Sequence, residues 1–521
     1  MPRFLVVLLL SVPLVVFHAS ASEAPSGLVS RAGDRSIVLH WDPSEVPAVA
    51  GYRIYRAVEN TGAFLLLNPN VLLKSPGYCD LSDAVVNNRT NFYRVTTVNA
   101  DAIESLPSLT ISAVPHAFRS DDEFLDYVQH VHFDYFWYLA NPRNGLVPDR
   151  NPRDSACSIA AVGFGLSAIA IGIDHGWISR PQGAARVRTT LNTFWNGSQG
   201  TNASGTIGFR GWFYHFIDMR NAVRSMGELS SIDTALLLAG MLDARQYFNG
   251  SSPEERSIRR LADGIFERVD WGWMTRGSNV VSMGWTPETG FIPSNWIGYN
   301  EAMILYCLGL GTPRRPLPAS AWDAWTSGYA CTTNDAWSFV PFPPLFGHQY
   351  SHCWIDFRHI ADAYMRGRGS TYFENSTRAT LAQRAYCIAN PLRRSGYSEL
   401  VWGLTACDSP SGYAAHGAPP AQNDDGTIAP TAAGGSIVFT PEYSVATLRY
   451  LYTQYRSRLW TEYGFRDAFN LGANWVDTDE LGIDQGPIVI MIENYRTERV
   501  WRRFMQDPIV RRGLNRAGFK P

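Results

Sequence analysis

Residues Gly208–Gly240, GFRGWFYHFIDMRNAVRSMGELSSIDTALLLAG, run from aromatic residues through a carboxylate-bearing segment into an apolar helix. Ser230-x-x-Asp233 has the form of a capping box, so the helix opens at Ser230 or Ser231 and Asp233 reads as a cap before it reads as a catalytic group. Glu228 lies outside that first turn, in a predicted loop behind Phe209, Trp212, Phe213, Tyr214 and His215. An apolar surround raises a carboxyl pKa and lets the group keep a proton for donation. Amphipathic rings beside carboxylates suit a ligand with flat apolar faces and many hydroxyls, and paired carboxylates are what cleavage of a glycosidic bond requires. The stretch therefore predicts carbohydrate chemistry, with Glu228 as the candidate general acid.

On either side of this stretch the periodicity divides the chain in two. From Ser26 to Val114 it is two, in SIVLHWDP, GYRIYRAVEN and NFYRVTTVNA, and the runs are bounded by Pro, Gly, Asn and Asp. That is the pattern of a small β-sandwich, expected over residues 24–115. Trp41, the GYRIYR strand and the segment from Tyr93 resemble a fibronectin type III module, a spacer or docking platform to which no chemistry is assigned. Beyond Pro115-His116 the spacing becomes helical, as in DDEFLDYVQHVHFDYFWYLA and IAAVGFGLSAIAIGIDHG, with hardly any strand signal. About eleven or twelve helices, apolar ones alternating with amphipathic ones, predict an (α/α)6 toroid over residues 116–521. The fold class expected is mainly α with an N-terminal all-β module.

The chain opens with an apolar run from Phe4 to Phe17 followed by HASAS, which predicts a cleaved signal peptide over residues 1–21 and export to the periplasm or beyond. The run is shorter than the roughly 20 residues that span a bilayer, so no membrane span is expected after cleavage. A net charge of -2, charged residues at 18% and the absence of a long basic run argue against nucleic acid as a partner. Seven cysteines leave at least one unpaired, and Cys157, Cys307, Cys353 and Cys387 sit in apolar contexts that predict buried thiols. No CxxC pair supports a zinc site, and neither cofactor nor metal is expected.

A second carboxylate must stand across the scissile bond, and NDDGTIAPTAAGG offers Asp424 and Asp425, although Asp-Asp-Gly is also ordinary turn chemistry. With WGLTACDSPSGY, which carries Trp402 and Asp408, it forms one expected rim of a pocket. Asp149, Arg150 and Asp154 precede a small-residue helix, to cap it or to bind sugar hydroxyls. SMGWTPETGFIPSNWIGYNEA gathers Trp285, Glu288, Trp296, Tyr299 and Glu301 into an expected stacking platform. His348, His352 and Asp356 recur at intervals of four, a spacing that fits a metal or hydrogen bonding to substrate or loops; no HExxH motif favours the metal.

Together GLVPDR, GELSSIDTALLLAG, SMGWTPETGF, GYNEAMILY, WGLTACDSPSGY, DDGTIAPTAAGG and LGIDQGPIVIMIENYRT resemble the glycoamylase-like domain family, which includes glycoside hydrolase family 144 with its activities on β-1,2-glucans. The resemblance implies an (α/α)6 barrel with an acidic cavity and inverting, metal-independent hydrolysis of an oligo- or polysaccharide. In that scheme Glu228 matches the acid, and Asp424 or Asp425 the base, about 6.5–9.5 Å away across a water. The other readings are a transglycosylase on the same glucans, an α-glucan hydrolase and a non-catalytic glycan-binding surface protein. The sequence identifies no protein partner.

Overall fold

The computed structural model describes residues 23–44, 49–151, 155–333 and 337–521; the expected signal peptide and Asp154 lie outside them. The period-two region forms seven strands: β1 (Val29–Gly33), β2 (Ser36–His40), β3 (Val49–Ala57), β4 (Leu65–Leu66), β5 (Gly77–Asp80), β6 (Asn91–Asn99) and β7 (Ile111–Ala113). They make two antiparallel sheets, β1-β2-β5 and β4-β3-β6-β7. Ile37, Leu39, Trp41, Ile54, Tyr93 and Val95 fill the space between the sheets.

Alternate side chains of a strand point to opposite faces, and β2 is buried on both. Its second face turns to the helices: Val38 joins their core, and Ser36 Oγ lies 2.8 Å from the hydroxyls of both Tyr127 and Tyr452. The His40 ring stacks on Tyr138, with centroids 4.3 Å apart. Fully buried Asp134 meets Arg31 at 2.9 Å and His40 at 3.3 Å. The β-rich segment is thus docked on the helical one through buried polar groups.

Sixteen helices follow among the described residues. The first eight are α1 (Asp121–Tyr138), α2 (Ile159–Asp174), α3 (Arg180–Asn196), α4 (Ser231–Tyr247), α5 (Pro253–Glu267), α6 (Trp271–Met274), α7 (Met303–Gly311) and α8 (Ser320–Thr326). The rest are α9 (Phe346–Trp354), α10 (Ala363–Gly367), α11 (Tyr372–Ala389), α12 (Pro430–Gly434), α13 (Pro441–Leu459), α14 (Gly482–Thr497), α15 (Arg499–Phe504) and α16 (Pro508–Arg516). None is long and apolar enough to cross a membrane. All seven cysteines are free, and Cys157, Cys307, Cys353 and Cys387 are buried, as their contexts predict.

The apolar α2 and α7 are buried almost all round, whereas α5 and α16 bury one face. Helix α2 touches α4 and α14, α4 touches α7, and α14 touches α12. Side-chain bonds join the remaining neighbours. Ser351 Oγ of α9 accepts from Ile304 N of α7 at 3.0 Å, and Gln349 of α9 donates to Ala432 O of α12 at 2.9 Å. Helices α3, α5, α16, α11, α13 and α1 lie against α2, α4, α7, α9, α12 and α14 respectively.

The helical region also holds short strands that the reading above did not expect: β8 (Arg150–Asn151), β9 (Cys157–Ser158), β10 (Gly208–Phe209), β11 (Trp212–Ile217), β12 (Arg224–Ser230), β13 (Gly284–Thr286) and β14 (Gly290–Phe291). Six of them form one sheet in which β11 pairs with both β12 and β9. Glu228 therefore stands on a strand and not in a loop. The alternation here is too short to register as a period against the aromatic content of the stretch.

Helices α2 and α4 meet through glycines. A Cβ at Gly240 would lie 1.9 Å from Gly163 O, and one at Gly163 would lie 2.3 Å from Leu236 O. Because both obstacles are backbone, relief requires the helices to separate. Gly240→Ala is expected to destabilise the fold by at least about 1–3 kcal/mol; urea unfolding compared with Ala239→Gly, a neighbouring change without the clash, measures it.

Candidate active site

Three of the buried helices, α2, α4 and α14, begin immediately after a short strand, β9, β12 and Glu480–Leu481 respectively. Ser158 and Ser230 cap α2 and α4 through their hydroxyls, and the Ser230 oxygen accepts from Asp233 N at 3.2 Å. Ser230 also donates to Asp233 Oδ2, so the cap of α4 is Ser230, and Asp233 is held against it. The N-terminal partial charge of each helix favours carboxylates at this end.

His215, on β11, stands between two of these carboxylates. Its Nδ1 is 3.3 Å from Glu228 and its Nε2 is 3.6 Å from Asp233. Burial works against a charged ring, but Asp233, Glu228 and Asp149 outweigh it and raise the His215 pKa to about 9. The same hydrogen bond lowers the Glu228 pKa, against the opposing effect of its partial burial. The expectation that Glu228 keeps a proton is therefore not met: its neighbour is a cation, and it rests ionised.

Asp149 and Arg150 continue this wall. Arg150 donates to Asp408 Oδ2 at 2.7 Å and to Asp479 Oδ2 at 3.1 Å, and its Nε lies 3.4 Å from Asp149. Burial raises the Asp149 pKa. Asp408 N donates to Asp467 Oδ2 at 2.7 Å, which brings in the buried pair Asp467 and Asp484. Asp467 Oδ1 and Asp484 Oδ2 accept from no other donor, and one proton held between the two carboxyls satisfies both. Burial, then the Asp484 charge, raises Asp467, whereas the bond from Asp467 partly offsets the effect of burial on Asp484. Asp467 keeps the proton, and Asp484, in the first turn of α14, is the member that ionises.

Glu301, two residues before α7, is buried and its Oε2 has no partner. Burial raises its pKa from 4.5 to about 7, and the Asp233 charge adds to the shift. Burial raises the pKa of Tyr350, on α9, and the nearby charges of Asp484, Tyr413 and Glu301 add to that shift. Among the described residues, Asp408, Asp467 and Asp477 alone form a carboxylate group tight enough to hold a cation, with oxygens within 4.8 Å of one another. The Arg150 guanidinium and the proton on Asp467 already meet part of that charge.

The expected bases take other places. Asp424 accepts from the hydroxyls of Tyr386 and Tyr397, each at 2.8 Å, and faces Arg394 at 3.4 Å. Its side chain is 1% exposed and its oxygens are occupied, which corrects its candidacy: it anchors a turn, the alternative its Asp-Asp-Gly context allows. Asp425 accepts from Thr427 N at 2.9 Å, faces His416 at 3.5 Å and opens onto a separate cleft of about 430 Å³ with Arg394 and Asn470.

Several expected binding residues are core. Trp212, Tyr214, Trp402, His348 and His352 are fully buried and present nothing to a ligand. Burial lowers the pKa of both histidines to about 3; Phe342 N donates to His348, and Ser376 Oγ lies 3.2 Å from His352 Nε2. Helix α9 ends at Trp354, so Asp356 does not share its face and instead pairs with Arg358 at 2.7 Å. Trp296 donates to Ser231 at 2.9 Å, and the Tyr299 hydroxyl lies 3.2 Å from Ser376, so both brace the interior. Phe209 and Trp285 are partly open and group with Trp273 and Phe291, while Glu288 on the turn beyond β13 is held by Arg224 at 2.6 Å. Asp467, Asp477, Asp479, Asp484 and Tyr413 are absent from the sequence reading. The one signal for Asp484 was its place at a helix onset in LGIDQGPIVI.

The chain as a whole is similar to glucan-degrading enzymes. The Glycoamylase (glucoamylase) family model matches residues 293–508. The exo β-1,2-glucooligosaccharide sophorohydrolase (non-reducing end) of Parabacteroides distasonis is 32% identical over 97% of this chain and 72% of its own length. The crystal structure of a β-1,2-glucanase from the same organism superposes with a TM-score of 0.84 at 31% identity, covering 96% of this chain and 73% of that one. The endo-β-1,2-glucanase of Chitinophaga pinensis, solved with sophorotriose and glucose, gives 0.72 at 31% identity over 78% of this chain and 99% of that one.

The raised pKa of Glu301 has a cost that stability measurements can read. The folded protein holds this proton more tightly than the unfolded chain, so the group stabilises the fold most at low pH and the contribution is lost as pH rises from 4.5 to about 7. Glu301→Gln is expected to be about 3 kcal/mol more stable than wild type above pH 7, a gain that vanishes below pH 4. Urea unfolding at the two pH values measures the difference.

Proposed function

The chain belongs to the Glycoamylase family, and from that premise we propose that it is a glycoside hydrolase cleaving β-1,2-glucan or its oligosaccharides with inversion. The observation that carries this reading is Glu301, a buried carboxyl whose Oε2 has no partner and whose pKa burial raises to about 7, taken with Asp484 in the first turn of α14. Glu301 donates that proton to the glycosidic oxygen as the bond to the anomeric carbon breaks. Asp484 takes a proton from the water that attacks the opposite face, and Asp467 steadies its charge.

The succession α2, α4, α7, α9, α12, α14, each backed by a second helix, supports an (α/α)6 ring whose loops build the cavity. The apolar segment Phe4–Phe17 supports export of the mature enzyme.

Hydrolysis of linear β-1,2-glucan by the purified chain, with the anomer released followed by NMR, tests the proposal. Wild type is expected to release the α-anomer, and Glu301→Gln and Asp484→Asn each to lose about 10²–10⁴-fold in kcat. Glu228→Gln is expected to stay within about tenfold, because an ionised group is no acid. Products longer than the substrate would replace hydrolysis by transglycosylation, and turnover of soluble starch alone would overturn the linkage.

The pH profile follows from the same groups. Burial raises Asp484 to about 7, as it does Glu301, so activity is expected to form a narrow bell centred near pH 7, rising as Asp484 ionises and falling as Glu301 loses its proton. A profile flat from pH 6 to 9 would remove Glu301 as the acid.

A further inference from the structure

The loop between the short strands Ala406–Cys407 and Ala414–Ala415 carries a residue that neither the sequence reading nor the mechanism uses. Cys407 pairs with Ala414, so the loop starts at Asp408 and ends at Tyr413, and these two stand opposite each other at its base. The loop is closed on itself: Ser409 N donates to Gly412 O at 3.1 Å, and Gly412 N to Ser409 O at 2.9 Å. Gly412 takes a φ of 107°, which a side chain would resist. Asp408, at the near end, is pinned by Arg150 and joined through its N–H to Asp467, so the base of the loop is fixed to the acidic wall.

Tyr413, at the far end, is 56% exposed. No other Trp, Tyr or Phe among the described residues that counts as an exposed large hydrophobic is as open. It stacks on no ring and makes no hydrogen bond among the described residues. Its place opposite Asp408 sets it beside the acidic wall, and burial, followed by the charges of Asp484 and Asp467, raises its pKa above the usual phenol range. An exposed ring at the base of a loop fixed to the acidic wall is placed to meet a ligand that those carboxylates bind. Amphipathic rings in that position present a flat apolar face and a polar edge.

We propose that Tyr413 is the platform on which a glucosyl ring of the substrate stacks beside Asp408, with its hydroxyl donating to a sugar oxygen. The inference rests on the glucan-hydrolase reading and adds the residue that seats the sugar. The ring covers the apolar face of one glucose, and the adjacent carboxylates accept from that sugar's hydroxyls. The rigid base of the loop keeps the ring in place before substrate arrives.

The test compares wild type, Tyr413→Phe and Tyr413→Ala on short β-1,2-glucooligosaccharides, alongside calorimetric binding of the same sugars to Glu301→Gln with and without Tyr413→Ala. Tyr413→Ala is expected to raise KM and the dissociation constant about tenfold with kcat within about threefold, and Tyr413→Phe to keep most of the affinity. Thermal unfolding of both variants should match wild type, since the side chain supports no other. Unchanged KM and unchanged binding in Tyr413→Ala would overturn the platform while leaving the hydrolase intact. Absent turnover with binding that still depends on Tyr413 would sink the hydrolase and uphold the platform. Absence of binding in every variant would sink both.

Discussion

The constraint on which this structure turns is the gathering of carboxylates where water is scarce. Asp149, Asp233, Glu301, Asp408, Asp467 and Asp484 border one region, and His215 and Arg150 are the cations bonded or closest to them. Like charges in low dielectric cannot all ionise, so protons redistribute: Asp467 and Glu301 retain theirs while Glu228 loses its own to the field of His215. The division into proton holders and charged groups that acid–base chemistry needs is a consequence of that crowding.

The helices supply the means of holding those groups together. Carboxylates at the onset of α4, α7 and α14 sit on the positive ends of apolar helices whose close packing fixes their separation. The contact of α2 with α4 admits no Cβ at Gly163 or Gly240, which leaves little freedom in how those two onsets are spaced. The β-rich segment contributes from outside. Its β2 strand buries one face in its own core and the other against α1 and α13, with Asp134 paired to Arg31 and next to His40.

The carboxylates legible in the sequence were those in distinctive local contexts, and two of them, with one histidine pair, changed meaning on folding. Glu228 reads as an apolar-loop acid until β11 brings His215 against it through strand pairing. Asp424 reads as a catalytic base until Tyr386, Tyr397 and Arg394 close over it, all three more than 25 residues away in the chain. The His348 and His352 spacing is helical, as expected, but that face of α9 turns inward. Asp467, Asp477 and Asp479 carried no pattern, because a loop carboxylate acquires its pKa from neighbours that sequence distance hides.

By itself the sequence determined the β-rich start, the helical remainder, the capped onset at Ser230 and the family to which the chain belongs, because periodicity, caps and local motifs are written in adjacent residues. Only the tertiary structure decided which acids keep protons and where an aromatic ring stands free. Those properties depend on burial and on charges brought close from distant segments, as when Arg150 meets Asp408 and Asp479 across more than 250 residues of chain.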